Sequence, residues 1–174
     1  ICTDSEVICY MLRKEHYANG KSIIESIEAV SKKLVGSYAL TILVNGELYG
    51  VRGPAGIKPL AIAKRGDDFI IASETVAFDV INAEFIRDVK PGEIIYFENN
   101  EIRSSMLELA DSTPLAHCMF EYVYFARPDS TIDNVNVYQT RLNIGKQLYE
   151  QFPIDADVVI PVPDSSIPAA IGYS

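Results

Sequence analysis

Residues 157–173 constrain the fold more than any other stretch, because an apolar strand pattern runs directly into an Asp-Ser-Ser turn and a helix pattern. Residues 157–160 have the β-branched composition of a buried strand. Asp164, Ser165 and Ser166 offer capping oxygens for a helix that begins near Pro168. In α/β sheets, ligands bind at such strand-to-helix turns because helix N-termini present free N–H groups to phosphates. The sequence therefore predicts the start of an α/β unit with a ligand-binding turn.

The two ends of the sequence indicate a piece of a longer protein. The final helix pattern stops about two turns after it begins, before any element could cover the strand. The first residue is Ile1 rather than Met. We therefore expect this chain to be an internal fragment.

The composition is that of part of a soluble enzyme. A formal net charge of −9 argues against an extended nucleic-acid-binding face but leaves room for a local basic pocket that binds a phosphorylated small molecule. No apolar run approaches the ~20 residues of a bilayer span, and no signal-peptide pattern opens the chain. Cys2, Cys9 and Cys118 lack CxxC spacing, which disfavours a disulfide scaffold and a self-contained zinc site. We expect reduced thiols, a cytoplasmic location, and neither nucleic acid nor membrane as partner.

The first two thirds of the chain predict helices followed by antiparallel strands. Residues 3–6 have the S/T-x-x-E form of a capping box, so a first helix should start near residue 4. Apolar residues at helical spacing from residue 23 to 34 predict a second helix. Strand patterns follow at residues 37–44, 47–51, 69–72 and 94–97, with an Asn45-Gly46 hairpin turn between the first two. Two helices before a hairpin-rich sheet indicate an α+β fold.

The last third has a different pattern. A helix over residues 141–152 precedes the strand and turn described above, which is typical of α/β winding. Residues 104–116 interrupt both patterns with Ser-Ser and Asp-Ser-Thr-Pro sequences, and we place a domain boundary there.

Residues 121–130 combine aromatic and charged side chains. Aromatic residues beside Arg127 could stack on a nucleotide, but their period-2 alternation is more typical of a strand that packs against a core. The Arg-Pro-Asp-Ser sequence at 127–130 predicts a turn. The aromatic residues are Tyr122, Tyr124 and Phe125.

Motifs spread over nearly the whole chain resemble one family. The run CMFEYVYFARPDS at 118–130 resembles the segment that joins the glutaminase and phosphoribosyltransferase domains of amidophosphoribosyltransferases. Further matches, in the order of that family, are TDSEV at 3–7, GSYAL at 36–40, VRGPAGIKPL at 51–60, ASETVAFD at 72–79, VKPGEI at 89–94 and PVPDSSIPAAIGYS at 161–174. Several early motifs also occur in related glutamine amidotransferases with the N-terminal-nucleophile fold. The segment from Cys118 onward therefore singles out this family.

The resemblance implies a fold and an activity. Residues 1–110 would be the C-terminal part of a class II glutamine amidotransferase domain, an incomplete αββα-type sandwich. Residues 111–174 would be a linker and the N-terminal part of an α/β phosphoribosyltransferase domain. An N-terminal cysteine would hydrolyse glutamine, and the ammonia would displace pyrophosphate from phosphoribosyl pyrophosphate to give 5-phosphoribosylamine, in the first step of de novo purine biosynthesis.

The resemblance also implies partners and cofactors. The partners are glutamine, phosphoribosyl pyrophosphate and further copies of the parent protein in a homo-oligomer. The cofactors are Mg²⁺ and, in one branch of the family, a [4Fe–4S] cluster. This sequence lacks the N-terminal cysteine and the diphosphate loop, so we expect the isolated chain to be inactive.

Asp4 is the candidate for binding glutamine. The resemblance implies that its carboxylate holds the α-ammonium group of the substrate, which is the suitable partner for a carboxylate. The alternative is an acid in the first turn of a helix, which gains ~0.3–1 kcal/mol from the helix dipole without any substrate. Glu6 is assigned to the capping box.

Ser165 and Cys118 are the candidates for metal binding. Ser165 lies where the family places a magnesium ligand, although a lone hydroxyl is a weak ligand and the alternative is helix capping together with Asp164. Cys118 aligns with the first ligand of the [4Fe–4S] cluster, which needs four thiolates. Cys118 does not decide the branch, and its alternative is a small thiol packed between Met119 and Phe120.

Five other positions also carry expectations. Gly53 stands where the family pattern has Asp, which removes one turn-capping or ion-pairing carboxylate and predicts a looser loop. This departure leaves open whether the parent protein is a competent glutaminase. Cys9, like Cys2, is interpreted as a helix-associated packing residue. His16 and His117 have no evident partners in the sequence.

Two other classes of function stay open. A stand-alone phosphoribosyltransferase or another class II glutamine amidotransferase would lack a continuous passage between the two domain patterns, and residues 121–130 argue against it. A non-catalytic remnant or regulatory module is supported only by the missing catalytic segments. In each case unpaired strand edges and uncovered apolar strands predict that the isolated chain associates or aggregates.

Overall fold

The computed structural model describes residues 3–174, so the expectation for Cys2 lies outside the described residues. The helices are α1 Asp4–Arg13, α2 Ile23–Ser31, α3 Val76–Val80, α4 Val137–Gln151 and α5 Ile167–Tyr173. The strands are β1 Ala39–Val44, β2 Glu47–Arg52, β3 Ala61–Arg65, β4 Asp68–Ala72, β5 Glu84–Asp88, β6 Glu93–Glu98, β7 Glu101–Met106, β8 Thr131–Ile132 and β9 Val135–Asn136. Two π-helical turns, Lys14–Ala18 and Glu121–Phe125, and a 3₁₀ turn, Glu108–Ser112, complete the elements.

The described residues form two compact units that interleave along the chain. The first unit combines the residues up to Ile57 with Val89–Ala116, and the second combines Lys58–Asp88 with His117–Ser174. The backbone therefore passes between the units three times. The predicted division at residues 110 and 111 stays a prediction.

A four-stranded antiparallel sheet in the order β1-β2-β6-β7 is the centre of the first unit. Asn45 and Gly46 have φ angles of 51° and 85°, which are the left-handed values that a two-residue hairpin turn requires. One core cluster joins α2 to the sheet. Its buried members are Ile27, Tyr49, Val51, Ile94 and Leu107.

The first two helices begin where the sequence predicts. The Thr3 hydroxyl accepts a hydrogen bond from the Glu6 backbone N–H at 3.2 Å and caps α1. Ser22 and Glu25 form a complete capping box at α2, with the Glu25 carboxylate accepting from the Ser22 backbone N–H at 2.8 Å. Each cap satisfies N–H groups that the helix itself leaves free.

The second unit contains a three-stranded antiparallel sheet in the order β4-β3-β5, with Ala61, Ala63 and Phe78 of α3 as its core. A two-stranded hairpin of β8 and β9 leads into α4. Among the strand pairs of residues 3–174, every one is antiparallel, and helices accompany both larger sheets. The predicted α+β class is confirmed, while the split into two sheets and the strands β3, β5 and β7 add to the prediction.

Helices α4 and α5 cross at very short range. A Cβ atom added to Gly145 of α4 would lie 1.9 Å from the Ala169 carbonyl oxygen, and one added to Gly172 of α5 would lie 2.1 Å from the Leu142 carbonyl oxygen. Only glycine fits at either position, because no real Cβ approaches a backbone atom so closely. The Tyr173 hydroxyl donates to the Phe152 carbonyl at 2.8 Å and ties the ends of the two helices together.

The strand predicted at residues 157–160 is wrong. This segment has no regular structure, and Val158 and Ile160 are 68% and 80% exposed. A parallel strand depends on neighbouring strands for its backbone hydrogen bonds and for cover on its faces. No strand among residues 3–174 pairs with this segment.

The strand predicted within residues 121–130 is also wrong. Residues 121–125 form a π-helical turn, closed by a hydrogen bond from the Ala126 N–H to the Glu121 carbonyl at 2.9 Å. Tyr124 and Phe125 are exposed on this turn, whereas Tyr122 packs against a small core. Residues 127–130 form the predicted turn, and α4 begins four residues before the predicted helix.

Within residues 3–174, none of the helices has the length and apolar character that a membrane span requires.

Candidate functional site

Asp4 lies at the start of α1, in the first turn after the Thr3 cap, and its side chain is exposed. A cavity of about 480 Å³ lies in the first unit, between α1 and β1. Ser5, Cys9 and His16 contribute to its lining. Asp4 is therefore accessible to a ligand at a capped helix end, one residue from a residue that lines this cavity.

The orientation of α1 depends on a buried carboxylate in the turn that follows it. Glu15 is 5% exposed and accepts hydrogen bonds from Lys21 and Lys33, each at 2.6 Å, and from Asn19 at 3.0 Å. Its hydrogen bonds with Lys21, then Lys33 and Asn19, lower the pKa of Glu15 to about 2. Since Lys33 follows α2, this cluster fixes α1 relative to α2. His16 donates to the Lys21 carbonyl at 2.7 Å when Nδ1 carries the proton, so the sequence missed its partner.

The loop after β2 is held by a buried arginine. Arg52 is 1% exposed, and its guanidinium donates to the Val89 carbonyl at 2.8 Å and to the Gly56 carbonyl at 3.0 Å. Gly53 donates its N–H to the Tyr38 carbonyl at 2.9 Å, and a Cβ at this position would lie 3.0 Å from the same oxygen. The close approach of Gly53 to Tyr38, with the two Arg52 bonds, ties this loop down without the family aspartate.

Ser165 precedes α5 and is half-buried. No hydrogen bond from its hydroxyl is found among residues 3–174, so the oxygen is available to a ligand. The predicted side-chain cap is wrong: Ser166 is the N-cap residue, but its hydroxyl donates to the Val162 carbonyl instead of accepting from the helix. A hard hydroxyl oxygen suits Mg²⁺ as one ligand among phosphate and water oxygens. Within residues 3–174 no group of three His, Cys, Asp or Glu side chains could hold a metal by itself.

Cys118 is a free, half-buried thiol in the second unit. Met119 and Phe120 are 67% and 59% exposed, which argues against the alternative of a thiol packed between their side chains. The next residue along the chain, Glu121, accepts a hydrogen bond from the Lys58 ammonium group at 2.8 Å. This bond raises the pKa of Lys58. A [4Fe–4S] cluster needs four thiolates, and the second unit offers one. The described residues therefore do not form a cluster site on their own.

Glu74 forms a cluster that sequence reasoning missed. Its Oε2 atom accepts a hydrogen bond from the Arg127 backbone N–H and another from the Ser130 hydroxyl, both at 2.8 Å. The hydroxyl of the next residue, Thr75, accepts from the Thr131 backbone N–H at 2.9 Å. The motifs at 72–79 and 118–130 were both visible in the sequence, but a separation of more than 50 residues gives no local signal that they meet.

Arg141 is a second missed residue. It is 2% exposed on α4, and it donates to the Tyr122 and Ala126 carbonyls, both at 2.7 Å. Burial lowers the pKa of its guanidinium, and the nearby Glu74 carboxylate opposes this shift. At the edge of the same region, His117 lies 3.5 Å from the Asp133 carboxylate, a partner that the sequence did not predict.

Comparisons with known proteins cover nearly the whole chain. A family model described as a glutamine amidotransferase domain matches residues 2–80. The amidophosphoribosyltransferase of Methanothermobacter thermautotrophicus is 62% identical over 172 residues, which cover 99% of this chain and 36% of the relative. The amidophosphoribosyltransferase of Methanocaldococcus jannaschii is 45% identical and is covered to 39%.

The resemblance to amidophosphoribosyltransferases is confirmed. A solved structure of glutamine phosphoribosylpyrophosphate amidotransferase from Bacillus subtilis, complexed with ADP and GMP, matches with a TM-score of 0.88 at 37% identity. The match covers 99% of this chain and 37% of that one. A structure described as the allosteric regulatory enzyme of purine biosynthesis also has a TM-score of 0.88, at 38% identity.

The chain spans between 36% and 39% of the length of the first three curated amidophosphoribosyltransferases that it matches. The glutamine amidotransferase model ends at residue 80, whereas the match to amidophosphoribosyltransferases continues over nearly all remaining residues. The residues that meet at Glu74 thus come from both sides of that limit.

Proposed function

We propose that this chain is part of an amidophosphoribosyltransferase that transfers ammonia from glutamine to phosphoribosyl pyrophosphate. One water hydrolyses the glutamine amide to glutamate and ammonia. The ammonia nitrogen then bonds to C1 of the ribose as the bond to pyrophosphate breaks, which gives 5-phosphoribosylamine and opens purine biosynthesis. The supporting observation is the 62% identity over 172 residues, which extends far beyond the glutamine amidotransferase match.

The proposed division of labour follows the sequence. Residues 1–110 contribute the later part of the glutaminase domain, and residues 111–174 contribute a linker and the first part of the phosphoribosyltransferase domain. Asp4 binds the α-ammonium group of glutamine, because its carboxylate is exposed at a capped helix end. The chemistry at the glutamine amide belongs to a cysteine nucleophile outside this sequence.

Ser165 is proposed as one ligand of a magnesium ion. The ion would neutralise charge on the pyrophosphate leaving group, and phosphate and water oxygens would supply its other ligands. Support comes from the Ser165 hydroxyl, which makes no hydrogen bond within residues 3–174 and follows the exposed Asp164 carboxylate. Cys118 remains a candidate for one thiolate of a [4Fe–4S] cluster whose other ligands would lie outside residues 3–174. A homo-oligomer and a cytoplasmic location belong to the same proposal.

A coupled assay of the full-length gene product that contains this sequence tests the proposal. Glutamate formation and pyrophosphate release are followed with glutamine and phosphoribosyl pyrophosphate together and with each alone. We expect pyrophosphate release to require both substrates and Mg²⁺, with glutamate and pyrophosphate formed in equal amounts. Glutamate formation without any pyrophosphate release would point to another class II glutamine amidotransferase, and absence of both products would point to a non-catalytic protein.

A further inference from the structure

We propose that Glu74 is a positioning residue for the phosphoribosyltransferase half-reaction, because it fixes the turn before α4 to a segment of the glutamine amidotransferase match. This inference rests on the proposed function and extends it.

The hydrogen bonds of Glu74 fix a turn rather than a single side chain. The Arg127 N–H and the Ser130 hydroxyl lie at the two ends of the 127–130 turn, and both donate to the same carboxylate oxygen at 2.8 Å. The Ser130 N–H closes the turn on the Arg127 carbonyl at 3.0 Å. Thr75 extends the contact by one residue, to the Thr131 N–H. The turn is therefore held at both ends from one short segment, residues 74–75.

Burial makes these bonds costly to break. Ser130 is fully buried, so its hydroxyl has no access to solvent if Glu74 is removed. A buried donor without an acceptor costs about 1–3 kcal/mol. The Glu74 charge also favours the protonated form of the buried Arg141, whose guanidinium donates to two backbone carbonyls. The carboxylate thus supports the turn mainly through its two hydrogen bonds.

The 127–130 turn fixes the position of the first residues of α4. The Val137 N–H donates to the Ser130 carbonyl and the Tyr138 N–H donates to the Pro128 carbonyl, both at 3.0 Å. These residues are the first two of α4. A displacement of the turn must therefore move the helix start or break two of its hydrogen bonds.

A shift of the turn would be transmitted through α4 to α5. The two helices touch at backbone level through Gly145, with no side chain between them that could absorb a shift. Helix α5 begins two residues after Ser165. A continuous path of rigid contacts thus leads from Glu74, inside the glutamine amidotransferase match, to the proposed magnesium ligand.

The test is a coupling ratio in the full-length gene product. Glutamate formed per pyrophosphate released is measured at saturating glutamine and phosphoribosyl pyrophosphate for wild type, Glu74→Ala and Glu74→Gln. We expect Glu74→Ala to raise the ratio about fivefold or more, the lower end of typical coupling between sites, because glutamate formation continues while pyrophosphate release falls with the shift of the α5 start. Glu74→Gln should stay near wild type, because its amide oxygen still accepts both hydrogen bonds.

Matched variants separate positioning from general damage. Asp79→Asn removes an exposed carboxylate five residues further along and should leave the ratio unchanged. If Glu74→Ala does not fold, Ser130→Ala removes one of the two bonds and should raise the ratio by a smaller factor. An unchanged ratio in the folded variants of both residues overturns the inference alone. A wild-type protein that releases no pyrophosphate with either glutamine or ammonium chloride overturns the proposed function and the inference together.

Discussion

At the residue scale, a substitution at Asp4 distinguishes two roles of its carboxylate. One is the proposed contact with the substrate, and the other is a favourable interaction with the dipole of α1. Replacement by Asn keeps the size of the side chain and removes its charge. We expect Asp4→Asn to raise the KM for glutamine by roughly 10-fold or more in the full-length protein, since a charged hydrogen bond contributes about 1.5–3 kcal/mol. Under the proposed function, pyrophosphate release with ammonium chloride should stay unchanged, because added ammonia bypasses the glutamine site.

Glu6 offers the control for this measurement. Glu6 lies in the same first turn and has the same charge, so Glu6→Gln should leave the KM for glutamine close to the wild-type value. An equal rise in KM for both variants would instead assign the effect to the helix dipole, and the proposed role of Asp4 would be withdrawn.

Glu15 predicts how the first unit responds to acid. Hydrogen bonds with Lys21, Lys33 and Asn19 lower the folded pKa of Glu15 from the ordinary 4.5 to about 2. A lowered carboxyl pKa adds stability that is complete above the unfolded pKa and disappears as the pH falls through the folded pKa. We therefore expect Glu15→Gln to reduce the free energy of unfolding at pH 7, with a difference from wild type that shrinks between pH 4.5 and pH 2.

Urea-denaturation midpoints followed by circular dichroism, at pH 7 and at pH 3, measure this difference. Glu98→Gln, at an exposed carboxylate of β6, is the control and should change little at either pH. A Glu15→Gln defect of the same size at both pH values would show that the side chain contributes packing rather than charge.

At the element scale, the crossing of α4 and α5 sets two effects against each other. Gly145→Ala improves the helix propensity of α4 by about 1 kcal/mol. The added Cβ would, however, lie 1.9 Å from the Ala169 carbonyl oxygen, and overpacking of this kind typically costs about 1–3 kcal/mol or more. We expect the cost of the clash to exceed the gain in helix propensity, because the clashing atom belongs to the backbone and cannot rotate away.

We therefore expect Gly145→Ala to lower the urea midpoint of the second unit and to speed amide hydrogen exchange in α5. Lys146→Ala, at the adjacent exposed position of α4, is the control and should leave both unchanged. A more stable Gly145→Ala variant would mean that the two helices do not approach as closely as described.

The elements that the sequence predicted well are those whose signals are local. The cap at Thr3 and the Asn45-Gly46 turn each occupy at most four consecutive residues, and each lies where the pattern indicated. The strand prediction for residues 157–160 failed for the opposite reason. A strand pattern specifies only a local preference, and a neighbouring strand has to supply the backbone hydrogen bonds. The strand prediction for residues 121–125 failed because the aromatic residues alternate as in a strand, but only Tyr122 packs against a core.

The residues of the candidate site also differ in whether a local sequence signal could reveal them. Asp4, Ser165 and Cys118 were proposed from motifs, because each family role attaches to one position. The cluster around Glu74 could not be identified in that way, since its meaning depends on a contact between two distant segments. Gly53 is an intermediate case: the missing aspartate was visible in the sequence, but the close approach of Tyr38 was not.

At the scale of the whole molecule, a run of apolar side chains in the second unit is uncovered. Ile154, Val158, Ile160 and Val162 are between 66% and 82% exposed. Contiguous apolar surface of this kind promotes association. We expect the 174-residue chain to associate in solution, and the double variant Ile160→Thr with Val162→Thr to shift it towards the monomer.

Sedimentation velocity at several concentrations measures this shift. Val35→Thr is the control, because Val35 is fully exposed but isolated from the apolar segment, and it should leave the distribution unchanged. A concentration-independent monomer for the unmodified chain would contradict the expectation.

The interleaving of the two units has a consequence for synthesis on the ribosome. The β1–β2 hairpin emerges early, but its partner β6 follows only after the whole of Lys58–Asp88, which belongs to the other unit. At about 5–20 residues per second, the nascent hairpin waits several seconds with one edge unpaired. Residues 58–88 wait in turn for the segment that begins at His117. The nascent chain thus carries two unfinished units at once, and cellular factors that shield open strand edges would act on this stretch before its last residues are made.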